Sequence, residues 1–555
     1  MSSIDYIVLA GYFILITLFG IWISGRIKTS DGYFRGERKF KWYIMIGQAF
    51  GVGTHAEMPV AQTGATFNSG FATIWYQWKN MLITPFYWLI APFYRRSERT
   101  TLGEIVEDRY GSGMGLAYTV FAITFFVFSM GVMLQGAAKV ISVASGSQLS
   151  PNVIVLLMTA AFILYSFIGG LIAAAYTDFI QSFLIITLSV MLIPLGLKEV
   201  GGFHSMKEML PVHFFDLVNS QSGIDAFTIA MLAVNGIVGI TAQPHMISMC
   251  ATGNTERAGR IGQTFGSMVK RLITIGWALT GLVVAALVIK KGVSLPDPEM
   301  AFGYACNALL MPGLVGLMLA AILAANMSSC SNFMVNTGAL FTRNLYKRYI
   351  RPGATDRQLL RIGRYSGLIL SILAVLFALS IKNVLHGFLF VETFAAFMGI
   401  IFLGGIIWKR ANRYGAAAAV ITSLTAYYLA NYLSSGELML VYKWKPAPFG
   451  ISMLTGFFFF WLISILTRPE DNDRIEAFFD NMNRKSDAPA PGPDGKKPLA
   501  SETGDDLLLL DLPGWKKRER WKNFFKRYRE DIAGFILSWM MVGLLILLAW
   551  IILKI

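Results

Sequence analysis

The feature that most limits what this chain can fold into is the repetition of long apolar runs. There are about fourteen, most of them near or above the ~18 residues that let a helix cross a bilayer. They fall at 5–24, 44–66, 71–93, 116–145, 151–170, 172–197, 226–249, 269–289, 312–342, 364–381, 385–408, 414–434, 447–467 and 532–553. In hydrocarbon every backbone donor and acceptor must be paired internally, and no stretch of useful length shows strand-like alternation. The expectation is therefore an all-α integral membrane protein. Composition agrees: 55% of the 555 residues are hydrophobic and 15% charged, against about 25% charged in soluble chains. That excludes a cytosolic enzyme, a disordered scaffold and a disulfide-rich secreted domain. Cys250, Cys306 and Cys330 lie in apolar stretches without metal-ligand spacing. The first run lacks a basic leader and a small-residue cleavage site, so it reads as a span and not as a cleaved signal.

The chain carries 48 Lys and Arg against 33 Asp and Glu, a net charge of +15. In a soluble protein that excess would suggest a polyanion partner; here it follows topology. After the first run come Arg26, Lys28, Arg35, Arg38, Lys39 and Lys41. Further odd-numbered connections carry Arg95, Arg96 and Arg99; Arg257, Arg260, Lys270 and Arg271; Arg343, Lys347, Arg348 and Arg351; and Lys409, Arg410 and Arg413. Even-numbered ones hold far fewer, such as Lys382, or Lys443 and Lys445. The alternation puts both termini on the extracytoplasmic side of a plasma (inner) membrane. Segment 468–531 reads as a cytoplasmic linker, disordered in its Pro-rich middle. The run from Trp515 to Arg529 then reads as an amphipathic stretch on anionic lipid, not as a nucleic-acid site.

Polar groups inside spans are costly and mark candidate sites. The second run holds Gly51-Val52-Gly53-Thr54-His55-Ala56-Glu57-Met58-Pro59, where glycines and a proline interrupt the helix. Unwound backbone at that depth must be buried or line a cavity, and its carbonyls suit a hard cation; a proline kink with Glu57 paired to a neighbour is the alternative. In the ninth run Ala325 precedes Ser328 and Ser329 by three and four residues, so one carbonyl and two hydroxyls share a helix face. That oxygen cluster suits a monovalent ion, with small-residue helix packing as its rival. Asp178 lies in the sixth run. The third carries Gln77 and Lys79, where a snorkelling lysine is the commoner explanation. The seventh is broken at Gln243-Pro244-His245. Two broken runs five spans apart are what two inverted five-helix repeats would give, with the site between them.

Several stretches resemble the sodium/solute symporter family over roughly residues 5–467. They are Gly169-Gly170 with Tyr176-Thr177-Asp178-Phe179-Ile180-Gln181, Ser328-Ser329 running on to Leu345-Tyr346-Lys347, and Trp408-Lys409-Arg410-Ala411-Asn412-Arg413-Tyr414-Gly415-Ala416. Gln243-Pro244-His245 is most similar to the sodium/proline branch. The resemblance implies a leucine-transporter-like five-plus-five inverted repeat with extra helices. It also implies a sodium site built from the carbonyls of Gly51, Thr54 and Ala325 and the hydroxyls of Ser328 and Ser329. Some members hold a second sodium; here Asp178, Ser328 and Ser331 would serve, although Asn332 replaces a serine, so one ion or two remains open. Met58 and Tyr76-Gln77-Trp78 depart from the sugar-type pattern, and the proline-branch aspartate is missing.

The resulting expectation is a sodium-driven symporter, not an enzyme, that imports a small polar solute, a carboxylate or amino acid, with Na+ as coupling ion. Sugar- or sialic-acid-type symport is the alternative, and a transporter-derived sensor or passive channel the rival from another class. Candidate solute contacts are Glu57, Gln77, Lys79, Gln243 and His245. The expected organisation is a first span and loop (1–43), a transport core (44–408), two further spans (409–467), the linker (468–531) and a last span (532–555).

Overall fold

A computed structural model of the chain describes residues 1–24, 40–51, 55–146, 150–166, 171–483, 508–516, 521 and 524–555. Among these, regular structure is helical, with only two isolated bridges, Phe40–Gly253 and Asn219–Ile224. The helices are α1 (Ser3–Ser24), α2 (Trp42–Gly51), α3 (Glu57–Ser69), α4 (Trp75–Ile83), α5 (Tyr87–Arg96), α6 (Leu102–Tyr110), α7 (Ser112–Ala144), α8 (Pro151–Ser166), α9 (Leu171–Val200), α10 (Phe203–Met209) and α11 (Ala226–Ile240). They continue as α12 (Met246–Ala251), α13 (Glu256–Lys291), α14 (Ala301–Leu309), α15 (Leu314–Leu340), α16 (Asp356–Ser380), α17 (Val384–Ile407), α18 (Arg413–Ser435), α19 (Pro446–Leu466), α20 (Asn472–Asn483), α21 (Phe524–Arg527) and α22 (Arg529–Lys554).

Among the described residues eight helices are long and apolar enough to cross a membrane. Three of the expected runs are not single helices. The run at 44–66 is divided between α2 and α3, with His55 and Ala56 outside both helices and Pro59 within the first turn of α3. That at 71–93 is divided by a 3-10 turn at Thr84–Phe86, where Pro85 lacks the amide that an α-helix needs. The one at 226–249 is broken between α11 and α12, around Pro244.

Helix α13 begins at Glu256, well before the expected start at 269, and its N-cap Thr255 accepts from the Ala258 amide. Its first half is too polar to register as a span, yet it is packed inside the bundle against α2, α3 and α5. The contact with α2 is so close that a Cβ on Gly262 would lie 2.2 Å from Met45 Cβ. Of the most apolar window of α13, 89% is buried in protein, against 22% for α22. The first is therefore a central helix and the second a peripheral one facing lipid.

Helix α22 is nevertheless anchored: Gly534 packs against the Trp88 ring, and Asp531 pairs with Arg260 at 2.7 Å. The linker opens with a folded helix, α20, whose Ile475, Phe478, Phe479 and Met482 are buried. Its Pro-rich middle lies outside the described residues. Within the basic-aromatic run a short turn at Gly514–Lys516 and the four-residue α21 are described.

Candidate functional site

Both broken spans open onto one interior cavity. Its walls include His55, Glu57 and Met58 from the first break, and Gln243, His245 and Met246 from the second. A long helix pins the first break in place: a Cβ on Gly136 of α7 would fall 2.8 Å from Glu57 Cα, so only glycine admits that approach. The backbone groups that the breaks release find side-chain partners, as buried backbone must. Gln77 Nε2 donates to the Met58 carbonyl at 2.7 Å, and the Ala56 amide meets Asn326 Oδ1 at 3.5 Å. At the second break Tyr94 donates to the Thr241 carbonyl at 2.8 Å and Tyr118 to that of Ala242 at 2.5 Å.

Of the expected solute contacts, Glu57, Gln243 and His245 line this cavity. Glu57 Oε1 lies 2.8 Å from His55 Nδ1, while Glu57 Oε2 and His55 Nε2 are buried with no hydrogen-bond partner among the described residues. Gln77 instead stands behind the first break and braces it.

Lys79 does not snorkel. It is fully buried and ion-paired with Glu392 of α17, and it donates to Asn235 Oδ1 at 2.6 Å. Asn80 Nδ2 donates to the other Glu392 oxygen at 3.0 Å. This network ties α4 to α11 and α17 and holds Glu392 at the cavity wall. Removing one member leaves a buried charge uncompensated, a loss of about 3–5 kcal/mol, whereas removing both is close to neutral. Lys79→Met should therefore lower the melting temperature in detergent sharply, and Lys79→Met with Glu392→Leu should recover most of the loss. A double variant no more stable than the single one would show that the pair does not act as a unit.

The residues proposed for sodium fall on α15 and on the first break. Ala325, Ser328 and Ser329 are buried on α15, and the Ser328 hydroxyl has no partner among the described residues. Such an orphaned hydroxyl is costly unless something binds it, so it fits a cation ligand. Asn326, next to Ala325, is the residue that meets the Ala56 amide, and its Nδ2 donates to the Met133 carbonyl at 2.7 Å. The two halves of the expected ion site are thus joined through a neighbouring side chain. Gly51 ends α2, whereas Thr54 lies outside the described residues. Ser331 is buried on α15; Asp178 lies in α9, its side chain outside the described residues.

Sequence reasoning placed Lys270 and Arg271 in a charged connection. They are buried in the middle of α13 and line the cavity. Arg271 Nη1 donates to the Gln77 carbonyl at 3.2 Å, and Trp78 Nε1 donates to the Arg271 carbonyl at 3.1 Å. The Lys270 ammonium has no ion pair or hydrogen bond among the described residues. A signal was present in the sequence. Gly259, Gly262 and Gly266 recur at three- and four-residue spacing ahead of the pair, the mark of a helix face in close contact. Glu392 was missed because it is a lone acid in an otherwise apolar run.

The sequence profile of the sodium:solute symporter family matches residues 33–423. Among curated relatives, the osmoregulated proline transporter OpuE of Bacillus subtilis is 29% identical over 491 residues, covering 84% of this chain and 96% of that protein. The sodium/glucose cotransporter of Vibrio parahaemolyticus is 25% identical over 463 residues, covering 76% of this chain and 84% of its own. Among solved structures, a Na+-coupled sialic acid symporter in a substrate-bound outward-open state superimposes with a TM-score of 0.69 at 20% identity, over 84% of this chain and 99% of the other. Mhp1, a nucleobase-cation-symport-1 family transporter, gives 0.51 at 12% identity, over 81% and 99%. The fold is thus a leucine-transporter-like one.

Proposed function

The chain belongs to the sodium:solute symporter family, and from that premise we propose that its solute is a small zwitterion of the amino-acid type. Sodium-coupled symport is the activity of this multi-pass membrane protein; which solute it carries is our reading. One observation carries it: the Lys270 side chain at the cavity wall makes no direct ion pair or hydrogen bond among the described residues, with Glu57 and Glu392 the nearby acids. Around the cavity the buried cations Lys79, Lys270 and Arg271 outnumber the buried carboxylates Glu57 and Glu392 by one. A solute carboxylate supplies the missing charge, because buried charge is tolerated only when compensated. Glu57 Oε2, on the wall of the same cavity, is the natural acceptor for the solute amine.

In this account sodium binds Ser328, Ser329 and the carbonyls of Ala325, Gly51 and Thr54. The ion bridges α15 and the first break, and the solute sits on the far side of that break. Each therefore stabilises the backbone geometry that the other uses, and each must raise the other's affinity by the same factor. The basic face, with Arg95, Arg96, Arg343 and Arg410, lies in the cytoplasm, and both termini lie outside.

Uptake into proteoliposomes under an inward sodium gradient tests the solute class. L-Proline, as the zwitterion probe, should accumulate above its external concentration only with sodium. D-Glucose should neither accumulate nor compete. Accumulation of glucose, or uptake of proline that ignores sodium, would overturn this reading.

A further inference from the structure

Helix α16 crosses the membrane at the edge of the bundle: only 39% of its most apolar window is buried in protein. Its exposed residues form one stripe. Tyr365, Ile372, Leu376 and Leu379 recur at the spacing of a single helix face, and the stripe continues into the exposed Arg364, Arg361 and Arg357. At about 1.5 Å rise per residue, Arg364 lies roughly 24 Å and Arg361 about 28 Å from the Ser380 end of the helix, within the ~30 Å of hydrocarbon. A guanidinium that starts there must extend to the headgroup layer and meet an anion, because charge left in hydrocarbon is costly.

Among the described residues nothing supplies that anion. The guanidinium groups of Arg357, Arg361 and Arg364 make no ion pair or hydrogen bond there. Other arginines of the basic face are paired: Arg96 with Glu256, Arg260 with Asp531, Arg413 with Glu470 and Arg348 with Glu107. Helix stability does not account for the row either. Arg357 stands in the first turn of α16, where the macrodipole disfavours a cation. Topology asks only for the number of basic residues on one side, not for a row on the lipid-facing stripe. The row is also held rigidly, since a Cβ on Gly338 of α15 would lie 2.4 Å from the Gly363 carbonyl oxygen. Successive rungs of a helix face stand about 5–6 Å apart, so two guanidinium forks can share one phosphate.

We propose that this arginine row is a binding site for an acidic phospholipid of the leaflet at the basic face. The lipid phosphodiester accepts from Arg361 and Arg364, and the acyl chains run along Tyr365, Ile372 and Leu376. Because α16 packs glycine to glycine on α15, a lipid held here stabilises that helix pair. The site depends neither on the solute class nor on the ion ligands argued above.

The test uses the purified full-length protein and native mass spectrometry with equimolar dioleoyl phosphatidylglycerol and dioleoyl phosphatidylcholine, which share chains and differ in charge. The first bound lipid should be phosphatidylglycerol, at least fivefold over phosphatidylcholine, and phosphatidylglycerol alone should raise the melting temperature in detergent. Combining Arg357→Gln, Arg361→Gln and Arg364→Gln should cut that ratio at least threefold and abolish the melting rise. Lys291→Gln, Lys443→Gln and Lys445→Gln together remove the same charge from exposed positions at the opposite helix ends and should preserve both. Inorganic phosphate and heparin, a soluble sulfated polyanion, should give no melting rise that depends on the row. All three arginines are exposed, so the variant should fold; Arg361→Gln with Arg364→Gln replaces it if it does not purify monodisperse. A ratio unchanged in the arginine variant, or lost equally in the lysine control, overturns the site. A row-dependent rise with phosphate or heparin overturns the lipid assignment in favour of a soluble anion. No readout needs solute or sodium, so failure here leaves the uptake result intact.

Discussion

Ser328→Ala combined with Ser329→Ala is expected to weaken sodium binding by about 100-fold or more, from two ligand hydroxyls worth roughly 1.5–3 kcal/mol each against a charged group. Both residues are buried on α15, and the Ser328 hydroxyl has no other partner among the described residues. Deleting it therefore breaks no internal hydrogen bond described here, and removing an unsatisfied polar atom favours folding. The double variant should melt at or above the native temperature without sodium and lose the sodium-induced rise in melting temperature. That pairing separates an ion ligand from a packing residue. Small-residue packing predicts the reverse, a changed baseline with the sodium response intact. Solute uptake should become sodium-independent and non-concentrative.

The second large effect is at Lys270. Lys270→Gln should leave the sodium-induced thermal shift in place and cost proline affinity about 100-fold, within the 2–5 kcal/mol range for truncating one partner of a buried charge pair. A chemical control isolates the contact. The native protein should strongly prefer L-proline to L-prolinamide, which lacks the carboxylate charge, and the variant should lose most of that preference. Equal losses for both compounds would mean that Lys270 shapes the cavity without meeting the carboxylate. Solubility is not a concern at this site. The ammonium is costly where it stands, so its removal relieves buried charge.

The helical membrane fold was legible because bilayer crossing imposes a length and a hydropathy that few other structures share. The broken spans were legible for the complementary reason: Gly51-Val52-Gly53 and Gln243-Pro244-His245 are poor helix formers placed where the surrounding residues demand helix. Lys270 and Arg271 escaped because hydropathy averages over a window. The polar first half of α13 looks like a connection until its glycine face is seen packed on α2. The same averaging made Lys79 look like a snorkelling lysine, since its partner Glu392 lies over 300 residues away in sequence. Pairing across such distances carries no local signature.

The central claim is that ion and solute act on the same break from opposite sides, and reciprocal titration tests it most directly. Sodium affinity is measured at zero and at saturating levels of whichever solute accumulates in the uptake assay. Solute affinity is then measured at zero and at saturating sodium, both by calorimetry on the purified protein. The account predicts that both affinities rise by the same factor, about 5–150-fold for a typical coupling free energy, and that the factor falls to one in the Ser328→Ala, Ser329→Ala variant. A factor of one in the native protein, or full coupling retained in that variant, would contradict it.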